Sequence, residues 1–207
     1  MEDKEIEKTL VTQGESLENP NDEELTTWGM IKDVLKFTAL SLLIVIPIRT
    51  FIAQPFLVSG SSMVPTFHDG EYLIIDELSY DFSSPARGQV IVFRYPNDPS
   101  KYFIKRIIGL PSETVVVENG TVTIKNPNNP NGLELKEPYI NEINWGYRNI
   151  TMKLSPDEYF VMGDNRNASS DSREWGALPK KFITGHVAVR LLPINKAEAA
   201  PGSTTYK

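Results

Sequence analysis

Thr114-Val-Val-Val-Glu-Asn-Gly-Thr-Val-Thr-Ile124 is the stretch whose reading decides the fold class. Two runs of β-branched residues flank Glu118-Asn119-Gly120, and an Asn-Gly pair between such runs is a strong hairpin signal. The same texture recurs on both sides. Residues 71–76 form a short apolar run after His68-Asp69-Gly70. Residues 89–94 follow the Pro85-Ala86-Arg87-Gly88 turn, and residues 101–108 follow Asn97-Asp98-Pro99-Ser100. Residues 158–162 and 186–192 are further strand candidates. Residues 126–132, dense in Asn and Pro, read as loop. No long helical period follows residue 57. Short strands with turns every 8–12 residues predict a mainly β domain of sandwich or barrel type, assigned here to residues 57–195.

Upstream the texture changes. Residues 34–53 read VLKFTALSLLIVIPIRTFIA. At about 1.5 Å per residue this run covers about 30 Å, the thickness of a bilayer's hydrocarbon core. Three readings compete: a cleavable signal peptide, a buried core helix and a single membrane anchor. The preceding region is long and acidic, with no clear small-residue cleavage site after the run, which disfavours a signal peptide. Lys36 and Arg49 lie near opposite ends, from which cationic side chains can snorkel to the interface. The anchor is the preferred reading, as a transmembrane helix over residues 28–56. Lys32 and Lys36 favour a cytoplasmic N-terminus, and Arg49 weakens that asymmetry. Residues 1–27 are polar and acidic and read as a disordered tail. Residues 196–207 read as a flexible C-terminal tail. Ala197-Glu198-Ala199 has a small-x-small form to which no meaning attaches.

Composition narrows the chemistry. The chain has 207 residues and a formal net charge of −6, which argues against a nucleic-acid partner. It has no cysteine, so disulfides, a thiol nucleophile and Cys-based zinc are excluded. His68 and His186 are not at metal-ligand spacing and read as surface or loop residues. No metal and no cofactor are expected.

Ser62, in Ser59-Gly60-Ser61-Ser62-Met63-Val64-Pro65-Thr66, is the candidate nucleophile. Gly, Ser and Pro together also make an ordinary turn. A serine hydroxyl needs a neighbouring base. An unperturbed lysine, with a pKa of about 10.4, is neutral in only about one molecule in 2,500 at pH 7, so a lysine base must be desolvated. Lys105 sits in Tyr-Phe-Ile-Lys-Arg-Ile-Ile, sharing a strand face with Phe103 and Ile107 and leaving Ile104 and Arg106 on the other. An exposed strand lysine is the plain alternative. Residues 163–176 form a polar, Gly-bounded loop, in which Asp171 and Arg173 could pair and Ser169 could donate to a base.

Four blocks together resemble the bacterial type I signal peptidases, membrane-anchored serine proteases with a Ser/Lys dyad. Ser62-Met63-Val64-Pro65-Thr66 resembles the family's nucleophile box. Arg87-Gly88-Gln89-Val90-Ile91-Val92-Phe93 resembles its Arg-Gly-Asp strand, with Gln89 for the usual Asp. Lys105-Arg106-Ile107-Ile108-Gly109-Leu110-Pro111 resembles its base box. Residues 163–176 resemble its Gly-Asp-Asn-Arg loop, departing at Asn167 and Ala168.

The resemblance implies an antiparallel catalytic domain of the signal-peptidase/LexA-like fold, with the N-terminal anchor. It implies Ser62 as nucleophile, Lys105 as general base and Ser169 as a hydrogen-bond partner of the lysine. Asp171 and Arg173 would be the pair holding the loop against the base. The Ser62 N–H would meet the oxyanion, while Gly60 stands where some relatives carry a hydroxyl, so a further donor in the same turn is expected. Val58, Met63 and Ile104 are the expected pocket walls for small residues of an A-x-A substrate. The implied partners are preprotein signal peptides, the lipid bilayer and the secretion translocon, with the catalytic domain on the extracytoplasmic side. Two other readings stand beside it: a LexA-like self-cleaving regulator, and a membrane-tethered non-enzymatic β module.

Overall fold

The computed structural model describes residues 27–47, 53–140 and 149–206. The chain divides into two units, Met1–Ile46 and Pro47–Lys207. The described part of the first is helix α1, Thr27–Pro47. Its charges Lys32, Asp33 and Lys36 fall in the first half, and apolar side chains from Phe37 to Val45 are exposed. Among the described residues, no helix is long and apolar enough to cross a membrane. The acidic tail over 1–27 lies almost wholly outside the described residues.

The second unit is mainly β and antiparallel. Among the described residues its larger sheet has eight strands. These are β1 (Ala53–Leu57), β2 (Tyr72–Asp76), β3 (Val90–Tyr95), β4 (Asp98–Gly109), β9 (Glu158–Met162), β10 (Leu178–Pro179), β11 (Ile183–Leu192) and β12 (Glu198–Ala199). They run β1-β2-β11-β3-β4-β9-β10, with β12 also on β11. The smaller sheet is ordered β7-β6-β5-β8, from β5 (Thr114–Glu118), β6 (Thr121–Asn126), β7 (Asn129–Glu134) and β8 (Ile150–Lys153). Two four-residue helices, α2 (Ser79–Phe82) and α3 (Ser172–Trp175), sit in the connections.

Alternation sets the core. In β5 and β6, Val115, Val117, Val122 and Ile124 point inward and pack with Ile108, Leu154, Phe160 and Met162. Strand β3 is buried on both faces. Val90 and Val92 pack with Met63, Phe67, Leu73 and Ile75, while Ile91 and Phe93 pack with Ile107, Tyr159 and Val161. The Asn119-Gly120 hairpin forms as expected, with Asn119 at φ 47° and Gly120 at φ 80°.

Three expectations are corrected. The anchor was expected to run to residue 56, but Ala53–Leu57 is a strand paired residue for residue with β2. Pro55 is tolerated there because β1 is an edge strand. Residues 126–132 are not one loop. The Asn126 side chain accepts from Asn129 N at 2.8 Å, closing a tight turn from which β7 continues. Finally, the expected flexible tail over 196–207 is, over its described residues to 206, held to the domain. Glu198 and Ala199 pair with Arg190 and Val189, and the chain beyond packs onto the domain.

Gly109 sits at a break in the β4–β9 register, where the two sheets meet. A Cβ there would fall 2.4 Å from Val115 Cγ2 and 2.9 Å from both Leu154 Cδ1 and Phe160 Cβ. Gly109→Ala is therefore expected to destabilise the domain by about 1–3 kcal/mol through overpacking. Urea denaturation checks this, and an unchanged midpoint would mean that the sheets part freely.

Candidate active site

The connection between β1 and β2 carries Ser62. It is closed at its base by Val58 N donating to Glu71 O and Gly70 N to Val58 O, both at 2.9 Å. Met63 and Phe67 are buried in the core and pin the turn from below. Gly60, at φ +94°, takes a backbone conformation that side chains disfavour. Its N–H donates to Asp69 Oδ1 at 2.7 Å. From the other side Asn165 N donates to Ser62 O at 3.0 Å and Asn165 Nδ2 to Ser61 O at 3.1 Å.

Lys105 comes from β4, opposite Ile91 of β3. It is only 4 % exposed. Its Nζ donates to Ser62 Oγ at 2.8 Å and to Ile104 O at 2.9 Å, and lies 5.3 Å from the Phe103 ring centre. Burial lowers its pKa to about 8, against the opposing pull of Asp171 and then Asp164. The two residues paired in the sequence reading thus meet. His68 is exposed, and His186 faces Asp76 with Nε2 3.9 Å from the carboxylate.

The loop over residues 163–176 lies beside them. Asp171 is fully buried, caps α3 through Arg173 N and accepts from Gly163 N at 3.0 Å. Arg173 grips the same carboxylate with Nε and Nη2, each at 2.8 Å, and donates to Arg166 O. The expected Asp171–Arg173 pair is present. Ser169 differs from expectation: its Oγ is enclosed but makes no hydrogen bond among the described residues, to Lys105 or otherwise. Packed against Gly163, it lies where a Cβ on that glycine would be 2.2 Å away.

Sequence reasoning missed a second centre. Arg106, fully buried, donates from Nε and Nη2 to Asp164 at 2.8 and 2.6 Å. Thr66 Oγ1 donates to the same carboxylate. Arg106 Nη1 reaches Gly88 O at 2.8 Å and also Gly202 O, and its guanidinium lies 3.9 Å from the Tyr139 ring centre. The available signal was a second cation in an apolar strand, which cannot be buried without a partner. Gln89, standing for the usual Asp, accepts from Ala86 N at 2.8 Å and Tyr80 Oη at 2.9 Å.

A cleft of about 520 Å³ opens over Ser62 and Lys105, with Val58, Tyr102, Ile104 and Ser170 among its walls. Val58 and Ile104 line it as expected. Met63 does not: it is 1 % exposed and supports the turn from the core. Among the described residues, β1 has no partner on its outer edge. On its β9 side, β4 pairs only from Arg106 onward. An extended chain could therefore add to strand edges at the cleft. A hydroxyl bonded to a desolvated amine, within apolar walls, is the arrangement of an activated nucleophile. Among the described residues no cluster of His, Asp and Glu could hold a metal ion.

The chain is similar to known proteins over most of its length. Residues 31–192 match the family model "Signal peptidase, peptidase S26". A signal peptidase I from Leptolyngbya laminosa is 39 % identical over 173 residues, covering 78 % of this chain and 80 % of the relative. A probable signal peptidase I-1 from Synechocystis is 36 % identical, covering 82 % of this chain and 86 % of its own. A signal peptidase I from Bacillus licheniformis is 33 % identical, covering 86 % and 96 %. With the Ser/Lys geometry and these matches in hand, the chain belongs to the signal peptidase family, peptidase S26.

Proposed function

We propose that the chain is a signal peptidase I, a serine endopeptidase that cuts signal peptides from exported preproteins with Ser62 as nucleophile and Lys105 as general base. The observation that carries this is the 2.8 Å contact between Ser62 Oγ and a Lys105 Nζ removed from water. Lys105, neutral, takes the hydroxyl proton as Ser62 attacks the scissile carbonyl, then returns it to the leaving amine. Water then hydrolyses the acyl-enzyme. The Ser62 N–H is the donor for the oxyanion, since the Gly60 N–H is already engaged by Asp69. Asp171 and Arg173 hold the loop that packs against the turn and the base. The substrate lies extended along the β1 and β4 edges, and its small side chains face Val58 and Ile104.

We also assign α1 to membrane anchoring. As described, the helix falls short of a span. The exposed apolar row over residues 37–45, continued in sequence by Ile48, Phe51 and Ile52, supports the assignment. Lys32 and Lys36 favour a cytoplasmic N-terminus, with the peptidase unit extracytoplasmic, where the bilayer and the translocon would deliver preproteins.

Three measurements test this. Ser62→Ala and Lys105→Met should each lower preprotein cleavage by on the order of a thousandfold or more, with the fold retained. Wild-type activity should rise through an acidic limb near pH 8 instead of the ordinary lysine value of 10.5. A limb at the ordinary value, or cleavage by Lys105→Met, would remove Lys105 from the chemistry.

Stability carries the same signature. The folded pKa lies below the unfolded one, so between about 8 and 10.5 the unfolded chain binds more protons and stability rises with pH. Lys105→Met lacks this slope. It should be more stable than wild type at neutral pH, with the gap closing by pH 10.5 in urea titrations. A parallel pair of curves would show that Lys105 is solvated. For the anchor, the full chain should stay with membranes through an alkaline carbonate wash while a chain lacking residues 1–47 is released. Release of the full chain would end the anchoring assignment.

A further inference from the structure

Residues 200–206 follow the exposed strand β12 and turn back across the domain, with Ala200 at φ 49° and Pro201 buried. This short segment touches three of the four sequence blocks that surround the dyad, and reaches the fourth, residues 163–176, through Arg106. Gly202 O accepts from Arg106 Nη1, one residue from Lys105. Gly202 also lies against the nucleophile turn: a Cβ there would come 2.5 Å from Thr66 Cγ2 and 3.2 Å from Phe67 Cε2. Thr204 N donates to Gly88 O at 3.3 Å. The approach is so close that a Cβ on Gly88 would fall 1.9 Å from Thr204 O. Tyr206 Oη bonds Tyr139 Oη, and the Tyr139 ring is the face on which Arg106 lies. Arg106 in turn holds Asp164 of the 163–176 loop.

We propose that residues 200–206 are a positioning strap, which holds Arg106, and through it the nucleophile turn, β4 and the Asp164 loop, in the arrangement that brings Ser62 to Lys105. The inference rests on the peptidase reading of Ser62 and Lys105. None of the strap lines the cleft, so it acts on the geometry of the dyad and not on contact with substrate. Without it, Nη1 of the buried guanidinium keeps Gly88 O alone, and the surface under Thr66 and Phe67 opens to water. A small shift of reacting groups is enough to cost rate, since misplacement by about 1 Å can cost about a hundredfold.

The test uses a chain ending at Ala199, kept otherwise whole in detergent, and a synthetic peptide of residues 200–207. Near-UV circular dichroism and a urea midpoint report the fold, and preprotein cleavage reports kcat and KM. If the strap positions the dyad, the truncated chain stays folded and loses kcat by on the order of 10–100-fold with KM little changed. Added peptide then restores kcat in a saturable way. Full kcat in the folded truncated chain overturns the proposal, as does loss that the folded chain does not recover with peptide. If the truncated chain does not fold, Gly202→Val in the full chain decides by the same kcat and KM readings. The valine clashes with Thr66 and lifts the strap without removing it, and unchanged kcat in a folded Gly202→Val protein overturns the proposal. Failure of the wild-type chain to cut any preprotein would appear before either variant was made, and would overturn the peptidase reading instead.

Discussion

Two charges with almost no access to water organise this domain. The side chains of Arg106 and Asp164 are 0 % and 1 % exposed. Each would cost several kcal/mol to bury alone, and breaking such a pair typically costs about 3–5 kcal/mol, against at most about 1 for an exposed pair. That cost turns into geometry. The guanidinium is planar and cannot shed its proton, so its donors must be met where the fork points. Asp164 meets Nε and Nη2, and the carbonyls of Gly88 and Gly202 meet Nη1. Asp164 has capacity left and takes the Thr66 hydroxyl. Segments far apart in sequence are fixed together because this arrangement satisfies both ions.

Lys105 precedes Arg106 on the same strand, directed to the opposite face. Strand β4 thus buries two adjacent cations with different fates. Arginine stays charged and must be paired, whereas lysine can release its proton and remain alone. The surroundings favour that release. Asp171 and Asp164 both pull the lysine toward the charged form, yet burial is the largest influence on it. Each of these carboxylates is already held by an arginine, Arg173 or Arg106. The two ion pairs therefore brace the site from behind its walls, and among the described residues Lys105 has no counterion of its own. An unpaired aspartate in either place would stabilise the ammonium and remove the base.

Much of this was legible in the sequence, for reasons that differ by residue. The hairpin at Asn119-Gly120 is local chemistry, and local chemistry is written in adjacent letters. The partnership of Ser62 with Lys105 was legible through the family blocks, whereas the strand alone left an exposed lysine as the plain alternative, and the 4 % exposure comes from packing that the strand does not spell out. What stayed hidden depended on distant contacts. Residues 200–206 are small and polar and look frayed, because the groups that hold them lie on Arg106, Gly88 and Tyr139. Residues 53–57 continue an apolar run and look like more helix, because their pairing with β2 is invisible without the turn between them. Met63 sits beside the nucleophile in sequence and so looked like a pocket wall. The turn instead directs it into the core, where it supports Ser62 from beneath.

The orientation of the serine hydroxyl follows from a side chain that is missing. A Cβ at Gly163 would fall 2.4 Å from Ser62 O, so the loop reaches the nucleophile turn only because that position carries none. Once there, the loop delivers Asn165 N to the Ser62 carbonyl, while the Asn165 side chain takes that of Ser61. The backbone of the nucleophile is then held from the loop side, and its Oγ is held from the strand side by Lys105. Both supports descend from the buried charges: Asp164 precedes Asn165, and Arg106 follows Lys105. A chain that satisfies its ion pair has therefore already aligned its dyad, and the alignment needs no further ordering when a substrate arrives.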